Sequence, residues 1–420
     1  MLDLGLVTRL RLKPPSAGLR GQDGESSLPG GRSAAATKTD SKADAFIRND
    51  TGFRRCLRIG VCAPYDLGRA GGVNSHIRAQ SRALRLLGHD VSVFGASSAP
   101  LADGEIAVGA CPSLVIGGTE TGLGIDPRSW YRVAALLRTS RFDVIHVHEP
   151  LMPLVPWFVL WQARAPIIAT FHAHREHGHR WYPRYRWLFA PLIGRVQVRL
   201  AVSDAARRTV ARHFPGEYEI VPNGIDVDRF AQATARPATM PAQHRHVLFV
   251  GRLEPRKGVD RLIRAMTIVG ERAPDARLVI VGDGPDRARL EATARDAAVS
   301  ITFAGRVPDE ILPAYYHAAD LVCAPALGDE SFGIVLLEAM AAGRPIVATR
   351  IAGFSELLAG AGSAMLADVD DRSALAHAIT TLLDDPENGR MMGARGASFV
   401  RDYDWSTIAR RLESIYKKSL

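Results

Sequence analysis

Cysteine is scarce in this sequence, and the few cysteines that it contains are widely scattered. They stand at Cys56, Cys62, Cys111 and Cys323 among 420 residues, with no CxxC pair. A disulfide framework or a cysteine-ligated metal site would need paired or regularly spaced cysteines. The scarcity therefore argues against both classes and fits a reducing cytosol.

Long apolar runs are also missing. No stretch reaches the roughly 18 apolar residues that a membrane-spanning helix needs, and the best candidate, residues 151–161, contains Pro153 and Pro156. Residues 1–13 lack a continuous apolar segment, so a secretory signal is not expected. Hydrophobic residues at 47% and charged residues at 23% are ordinary for a globular protein. Wholesale disorder, collagen and coiled coil are therefore excluded.

Strand-like and helical segments alternate along most of the chain. A strand pattern at 57–62 leads through a glycine-rich turn at 68–72 to a helical pattern at 73–87 and a second strand at 90–94. Such βαβ units predict a parallel sheet covered by helices. A second series of this kind starts at residue 247. The sequence thus predicts an α/β fold with two doubly wound domains and ligands at the carboxyl ends of the strands, in the cleft between them.

The predicted domain boundaries follow composition. Residues 1–55 are rich in Pro, Gly, Ser and Ala and are predicted to be a disordered extension, with a basic arm that touches a membrane as the alternative. We assign 56–238 to the first domain and 239–402 to the second, joined by an Ala-, Pro- and Thr-rich linker at 231–245. The C-terminal helix, 403–420, is predicted to pack back on the first domain.

Two loops carry features that suit a phosphorylated ligand. Glycines at Gly68, Gly71 and Gly72 would let the backbone approach an anion at the start of a helix, although a simple tight turn remains the alternative. In the string GRLEPRKG, Arg252 and Lys257 flank a turn at the end of a strand. Arginine offers a bidentate fork and lysine a compact charge, which together suit a diphosphate.

Two carboxylates lie eight residues apart in the string GDESFGIVLLEAMAAG. Glu330 is predicted in a loop and Glu338 on a mostly apolar helix, whose first N–H groups, at Gly333 and Ile334, could meet an anion. Carboxylates suit the paired hydroxyl groups of sugars and ribose. An unpaired buried carboxylate is costly, so we predict a ligand or cation partner for Glu338.

These motifs carry a resemblance. Glu330 and Glu338 match the E-x7-E signature of retaining family 4 glycosyltransferases of the GT-B fold, and VPNGID at 221–226 and VGDGP at 281–285 are also typical of that family. The resemblance covers about residues 57–416. Within the family, AGGVNSH at 70–76, FDVIHVHEP at 142–150 and ATFHAH at 169–174 are most similar to phosphatidylinositol mannosyltransferases.

The resemblance implies roles for individual residues. The first domain would bind a lipid acceptor and the second a nucleotide-sugar, in that subfamily GDP-mannose, and transfer would retain the anomeric configuration. The catalytic residues would be His172, Arg252, Lys257 and Glu330. The donor site would add Gly72, Val307, Asp309, Phe332, Gly333, Ile334 and Glu338, with Glu338 at the ribose and Val307 and Asp309 beside the base. The acceptor would be met by Gly71, Asn74 and His172.

No cofactor is expected, and a divalent metal is not expected to be essential, because cations and helix N-termini would stabilise the departing diphosphate. Three positions depart from the subfamily pattern: Asn74, the run Ala173–Glu176 and Leu312. They touch the acceptor side and base recognition. A hexosyltransferase that uses a UDP-sugar and another acceptor therefore stays open, as does a non-catalytic nucleotide-sugar-binding or nucleic-acid-binding protein.

Histidines at 172, 174, 177 and 179 form a dense cluster in the string HAHREHGH. Their density would suit zinc. Their spacing matches no catalytic zinc motif, so we favour an acceptor-binding loop with His172 as its polar contact.

Positive charge is concentrated in residues 128–213. This stretch holds 14 Arg against 4 acidic residues, a surplus of 10 beside +9 for the whole chain, and five of the six Trp. Arginine interleaved with amphipathic aromatics favours an anionic membrane surface. Single-stranded nucleic acid and a merely solvated face are the alternatives, and we predict no nucleic-acid partner. The predicted location is cytoplasmic, on the inner face of the plasma membrane. The predicted membrane residues are Arg128, Trp130, Arg132, Arg180, Trp181, Arg184, Arg186 and Trp187.

Overall fold

A computed structural model describes residues 55–69, 71–111, 113–116, 119–122, 126–175, 181–232, 235–297 and 299–420. The predicted extension, 1–55, lies outside the described residues except for Arg55. Residues 54–420 form one compact unit.

The first half of that unit is built on a seven-stranded parallel sheet. Its strands are β1 (Arg58–Cys62), β2 (Asp90–Ser97), β3 (Glu105–Ala110), β6 (Val144–His148), β7 (Ile167–Phe171), β8 (Val198–Ala201) and β9 (Glu219–Ile220). The helices of this half are α1 (Gly72–Leu86), α2 (Ser129–Ser140), α3 (Val155–Gln162), α4 (Trp181–Arg184), α5 (Arg186–Ile193) and α6 (Asp204–Ala211). A separate antiparallel hairpin joins β4 (Ser113–Ile116) to β5 (Thr119–Gly122). The sheet order is β3-β2-β1-β6-β7-β8-β9.

The second half repeats the design with a six-stranded parallel sheet. Its strands are β10 (Arg245–Val250), β11 (Ala276–Val281), β12 (Ile301–Gly305), β13 (Leu321–Ala324), β14 (Ile346–Thr349) and β15 (Ala364–Ala367). Its helices are α8 (Val259–Arg272), α9 (Arg287–Asp296), α10 (Leu312–Ala318), α11 (Ile334–Ala341), α12 (Ala352–Leu358), α13 (Arg372–Asp384) and α14 (Pro386–Phe399). The order is β12-β11-β10-β13-β14-β15. In both sheets the order reverses beside the first strand, which is where doubly wound sheets bind ligands. The predicted fold class is confirmed.

The chain crosses between the two sheets twice. Helix α7 (Val227–Ala231) precedes the first crossing, where Met240 is fully buried in a core cluster that contains residues of both halves, so the predicted linker is also a packing segment. The second crossing leads into α15 (Trp405–Lys418). Burial of its apolar face places Ile408, Leu412 and Tyr416 in a core cluster with residues of β1 and α1.

Candidate functional site

The turn after β1 brings glycine backbone to the carboxyl edge of the first sheet. Gly71 caps α1 and Gly72 is its first residue, and a Cβ atom at either position would meet nothing within 4 Å. This open approach suits a ligand anion at the helix start. Asn74 is buried, and its amide nitrogen donates hydrogen bonds to the carbonyl oxygens of Asp66, at 2.7 Å, and Arg69, at 3.0 Å. Its amide nitrogen therefore braces the turn, and an acceptor would meet this residue only through its carbonyl oxygen.

His172 lies at the same edge because β6 and β7 are neighbours in register, with His148 paired to Thr170. The segments that follow these two strands thus leave the sheet side by side, at Glu149 and His172. Glu149 has a left-handed backbone, with φ 45°, and its Oε1 accepts hydrogen bonds from the N–H groups of His172, at 2.6 Å, and Ala173, at 2.7 Å. This buried carboxylate fixes the start of the 172–175 loop.

Burial sets the charge state at this edge. Desolvation lowers the pKa of His172 well below its usual 6.5, helped by the charges of His76 and His146. His172 is therefore a neutral imidazole that can donate or accept a hydrogen bond. Desolvation raises the pKa of Glu149, while the two backbone N–H donors and Arg175 oppose that rise.

The edge of the second sheet is built from ion pairs. After β10, a short 3-10 helix, Pro255–Lys257, ends at Gly258. Arg252 pairs with Glu254 at 3.0 Å, Arg256 also contacts Glu254, and the Nζ atom of Lys257 lies 2.7 Å from Oε1 of Glu330.

Arg256 makes a second ion pair, with Glu330. Sequence reasoning named Arg252, Lys257 and Glu330 but missed Arg256 and Glu254. Both missed residues stand in the string GRLEPRKG, where nothing distinguishes them from a solvent-exposed ion pair. The structure thus joins two predicted catalytic residues, Lys257 and Glu330, into one cluster.

Gly258 makes this turn possible. Its φ is 68°, and a Cβ atom there would lie 1.9 Å from the carbonyl oxygen of Pro325. Residue 325 follows β13, so the turn after β10 is packed directly on the segment that leads to Glu330. Leu327 reinforces this by donating its N–H to the carbonyl of Arg256 at 2.8 Å.

The start of α11 contributes backbone more than side chain. Gly333 caps the helix with φ 91°, and Ile334 is its first residue. Phe332 is 5% exposed and belongs to the core, with its ring tilted against Tyr403 at 6.1 Å. The side chain of Phe332 is therefore part of the core, and the predicted sugar contact at this residue would be made by its main chain.

Glu338 has a protein partner that the sequence did not reveal. The hydroxyl of Tyr316 donates to Glu338 Oε2 at 2.5 Å. Desolvation raises the pKa of Glu338, opposed by that hydrogen bond and by the charge of Arg229. The carboxylate is therefore not unpaired, because a phenol hydroxyl satisfies one oxygen, and the predicted ligand at Glu338 stays a prediction.

The residues predicted beside the base follow β12. Val307 is half-buried against the core cluster that contains Met240, and Asp309 is exposed, with its carbonyl oxygen accepting from Arg229. A contact between the two halves lies at α6 and α12, where Glu356 accepts from the Ala205 N–H at 2.9 Å and pairs with Arg208. The two sheet edges are thus linked through side chains of both halves.

The predicted membrane residues separate into two groups. Arg128, Arg132, Arg184, Arg186 and Trp187 are exposed, and Trp187 is 73% exposed. Trp130 is half-buried with its ring against Phe158 at 5.3 Å, so it packs α2 on α3. Arg180 and the side chain of Trp181 lie outside the described residues.

Two further exposed aromatics were not predicted for this surface. Tyr131 on α2 is 75% exposed and Trp161 on α3 is 61% exposed. Helix α2 packs on α3, and α3 on α5, which carries Trp187. Three adjacent helices therefore each expose one large aromatic, and α2 and α5 also carry arginines. We call Tyr131, Trp161 and Trp187 with Arg128, Arg132, Arg184 and Arg186 the aromatic–arginine surface. None of the described helices is both long and apolar enough to span a bilayer.

Comparison with known proteins places this geometry in context. The family model described as Glycosyltransferase Family 4 matches residues 70–229, and that described as Glycosyl transferases group 1 matches 233–399. A phosphatidyl-myo-inositol mannosyltransferase of Mycolicibacterium smegmatis is 35% identical over 86% of this chain and 94% of its own length. A D-inositol 3-phosphate glycosyltransferase of Corynebacterium efficiens is 29% identical, covering 84% and 92%. The sucrose-phosphate synthase structure from Thermosynechococcus elongatus superimposes with a TM-score of 0.72 at 24% identity, covering 86% and 98%.

Proposed function

Because this chain belongs to glycosyltransferase family 4 of the GT-B fold, we propose that it transfers mannose from GDP-mannose to phosphatidylinositol, with retention. The chain is a glycosyltransferase; the donor, the acceptor and the stereochemistry are the proposal. The observation that carries it is the match to a phosphatidyl-myo-inositol mannosyltransferase along 94% of that relative.

The ion-pair cluster supports donor binding and activation. Arg252, Arg256 and Lys257 stand on one turn at the carboxyl edge of the second sheet, opposed by Glu254 and Glu330. A diphosphate would draw the three cations toward its oxygens, where they stabilise the charge that grows as the leaving group departs. Glu330 would accept hydrogen bonds from sugar hydroxyls, since ionised carboxylates accept two at once.

The transfer step then needs little covalent help from the protein. The bond between the anomeric carbon and the diphosphate oxygen breaks, and the acceptor hydroxyl attacks the same face of the sugar. Its proton passes to the departing phosphate oxygen. Neutral His172 holds the acceptor and sugar by hydrogen bonds. Because both substrates are held in place, their reaction no longer depends on a bimolecular encounter. This series of reaction steps requires no divalent metal and no nucleic-acid partner.

The aromatic–arginine surface supports a lipid acceptor. Exposed Trp and Tyr rings settle at headgroup depth, and each arginine near an anionic surface adds about 1 kcal/mol of attraction. We propose that this surface holds the protein on the inner face of the plasma membrane, where the first sheet would meet the acceptor.

A donor and acceptor panel tests the proposal. The enzyme is assayed with GDP-mannose and UDP-sugars, with phosphatidylinositol vesicles or with soluble inositol phosphate, and the product's anomeric configuration is read by NMR. Transfer from GDP-mannose to the lipid with retention is expected. Transfer to the soluble acceptor alone would favour a second candidate function, transfer to an inositol phosphate. The likeness to a D-inositol 3-phosphate glycosyltransferase supports that candidate.

Vesicle flotation tests the surface independently of turnover. Trp161→Ala with Trp187→Ala is expected to weaken binding to anionic vesicles about tenfold or more. Leu86→Ala is the matched control, because Leu86 is an 83% exposed apolar residue on α1. Equal loss in the control, or equal binding of the native protein to neutral vesicles, would contradict the membrane assignment.

A further inference from the structure

Three buried histidines from separate elements converge beneath the edge of the first sheet. His76 lies on α1, His148 ends β6, and His172 follows β7. Their exposures are 7%, 0% and 8%, and one ring nitrogen from each lies within 4.8 Å of the other two. Buried polar rings are normally satisfied by hydrogen bonds, so the partners of these nitrogens decide what the cluster is.

A hydrogen-bond network with Gln80, His146 and Tyr416 holds the ring of His76. Gln80 directs its amide nitrogen to His146 Nδ1, at 3.0 Å, and to the Tyr416 hydroxyl, at 3.2 Å, so its carbonyl oxygen faces His76 Nε2 at 3.2 Å. With the Gln80 amide in this orientation, its carbonyl oxygen accepts from His76 Nε2–H, because a carbonyl oxygen only accepts. The Nδ1 atom then carries a bare lone pair, and it has no hydrogen-bond partner among the described residues. Metal-binding histidines are held in this way, by an acceptor on their other nitrogen.

His148 and His172 contact each other directly. Nδ1 of His148 and Nε2 of His172 are 2.8 Å apart, so the two rings share one proton between two nitrogens. Two nitrogens at about 2.1 Å from a tetrahedral metal are about 3.4 Å apart. Replacing the shared proton by a metal ion would therefore need these two rings to separate by about 0.6 Å, and the His76 nitrogen, which lies within 4.8 Å of both, to approach the ion.

The rings are already in the form that binds metals. Desolvation lowers the pKa of His76 to about 4, and burial with neighbouring histidines holds the pKa of His148 and of His172 well below 6.5. All three are neutral at pH 7, and neutral imidazole is the ligand species. His148 Nε2 also has no hydrogen-bond partner in the described part of the chain, which leaves a further orphaned nitrogen in the same cluster.

We propose that His76, His148 and His172 form a binding site for a divalent first-row transition metal of the Zn²⁺ or Co²⁺ type. Imidazole nitrogen suits these ions and not Mg²⁺ or Ca²⁺, which prefer oxygen. This site is not the cluster of histidines at 172–179, although His172 belongs to both. His174 is engaged elsewhere, because its Nδ1 atom lies 3.1 Å from Thr209 Oγ1. A bound ion would occupy Nε2 of His172, the atom that now faces His148, and would leave Nδ1 as the ring nitrogen that can meet a substrate.

Cobalt titration tests the site without any assay of transfer. Untagged, metal-free, full-length protein is titrated with CoCl2, and the visible d–d absorption is followed, with ZnCl2 as competitor. One equivalent is expected to bind, and His148→Asn and His76→Asn are each expected to lower the affinity at least tenfold. The double variant His177→Gln with His179→Gln is the control that should bind like the native protein.

Two results would overturn the site. One is the absence of a cobalt spectrum from the native protein at micromolar metal, and the other is loss of binding by the control variant while His148→Asn and His76→Asn keep it. Circular dichroism of each metal-free variant confirms folding, and if His148→Asn does not fold, His76→Asn decides the outcome together with the native protein. Because the readout is metal binding, failure here leaves the proposed transfer reaction untouched.

Discussion

The carboxyl edges of the two sheets in this glycosyltransferase, where the strands end, carry different kinds of side chain. At the first edge, neutral histidines and one carboxylate are buried and hydrogen-bonded to each other and to backbone. At the second edge, arginines and a lysine pair with Glu254 and Glu330 on a partly exposed turn. Buried neutral groups keep a fixed geometry, whereas the arginines of this turn, with side chains 43–47% exposed, exchange partners at small cost. The first edge is therefore suited to positioning a neutral hydroxyl, and the second to receiving an anion.

Removing one carboxylate should break the second edge most severely. Glu330→Gln is expected to lower kcat/KM for transfer by about 10³-fold, because Arg256 and Lys257 lose their partner and the sugar loses an ionised acceptor. The melting temperature should change little. Glu254→Gln on the same turn is the control and should cost much less. Equal activity of Glu330→Gln and native enzyme would show that this carboxylate does not meet the sugar.

Acid should destabilise the first edge through its histidines. Burial lowers the pKa of His76 to about 4 and that of His146 to about 3, against 6.5 when unfolded. Below pH 6.5 these histidines are protonated in the unfolded chain but not in the folded chain. Their contribution to the free energy of unfolding is therefore complete above pH 6.5 and decreases as the pH falls toward 4. The expected slope is about 1.4 kcal/mol per pH unit for each histidine.

Urea unfolding between pH 7.5 and 4.5 measures that slope. His146→Gln should flatten it, and His377→Gln, at an exposed position on α13, should not. A slope that is identical in all three proteins would mean that the buried histidines do not control acid stability.

A backbone change should separate turn geometry from turn charge. Gly258→Ala is expected to lower the free energy of unfolding by about 2–4 kcal/mol and to reduce transfer, because φ is 68° and the new Cβ would meet the Pro325 carbonyl oxygen. Gly270→Ala, in α8 with nothing within 4 Å, should stabilise by about 0.5–1 kcal/mol. Thermal unfolding and activity of the pair provide the test, and a stable, fully active Gly258→Ala would contradict it.

The smallest expected effect concerns the loop at the first edge. Glu149→Gln should reduce kcat for transfer about tenfold while substrate KM stays within about threefold, because one amide oxygen holds the His172 and Ala173 N–H groups less firmly than a carboxylate. Steady-state kinetics on the folded variant measure the split. Glu149→Asp should recover less than half of the loss, since its shorter side chain cannot reach both donors.

Sequence reasoning predicted the strands and turns that obey strong local rules. Residues 57–62 and 277–281 are rich in Val and Ile and lead into glycine turns, and both are strands in the structure. Strand β15, with the sequence AMLA, was missed because alanine carries no strand preference. Contacts set by topology were also beyond reach: His76 and His148 are 72 positions apart, and only the adjacency of α1 and β6 beneath one edge brings them together. Tyr316 as the partner of Glu338 belongs to the same class.

The two crossings between the sheets touch each other. Ile225 donates its N–H to the Tyr403 carbonyl at 2.9 Å and accepts from the Trp405 N–H at 3.0 Å, and residues 225 and 404 form a parallel bridge. Because these two segments are hydrogen-bonded to each other, the covalent linker is not the only connection between the halves. A proteolytic cut between 231 and 245 would therefore leave the halves joined through α15, and cleaved protein should still travel as one particle in gel filtration.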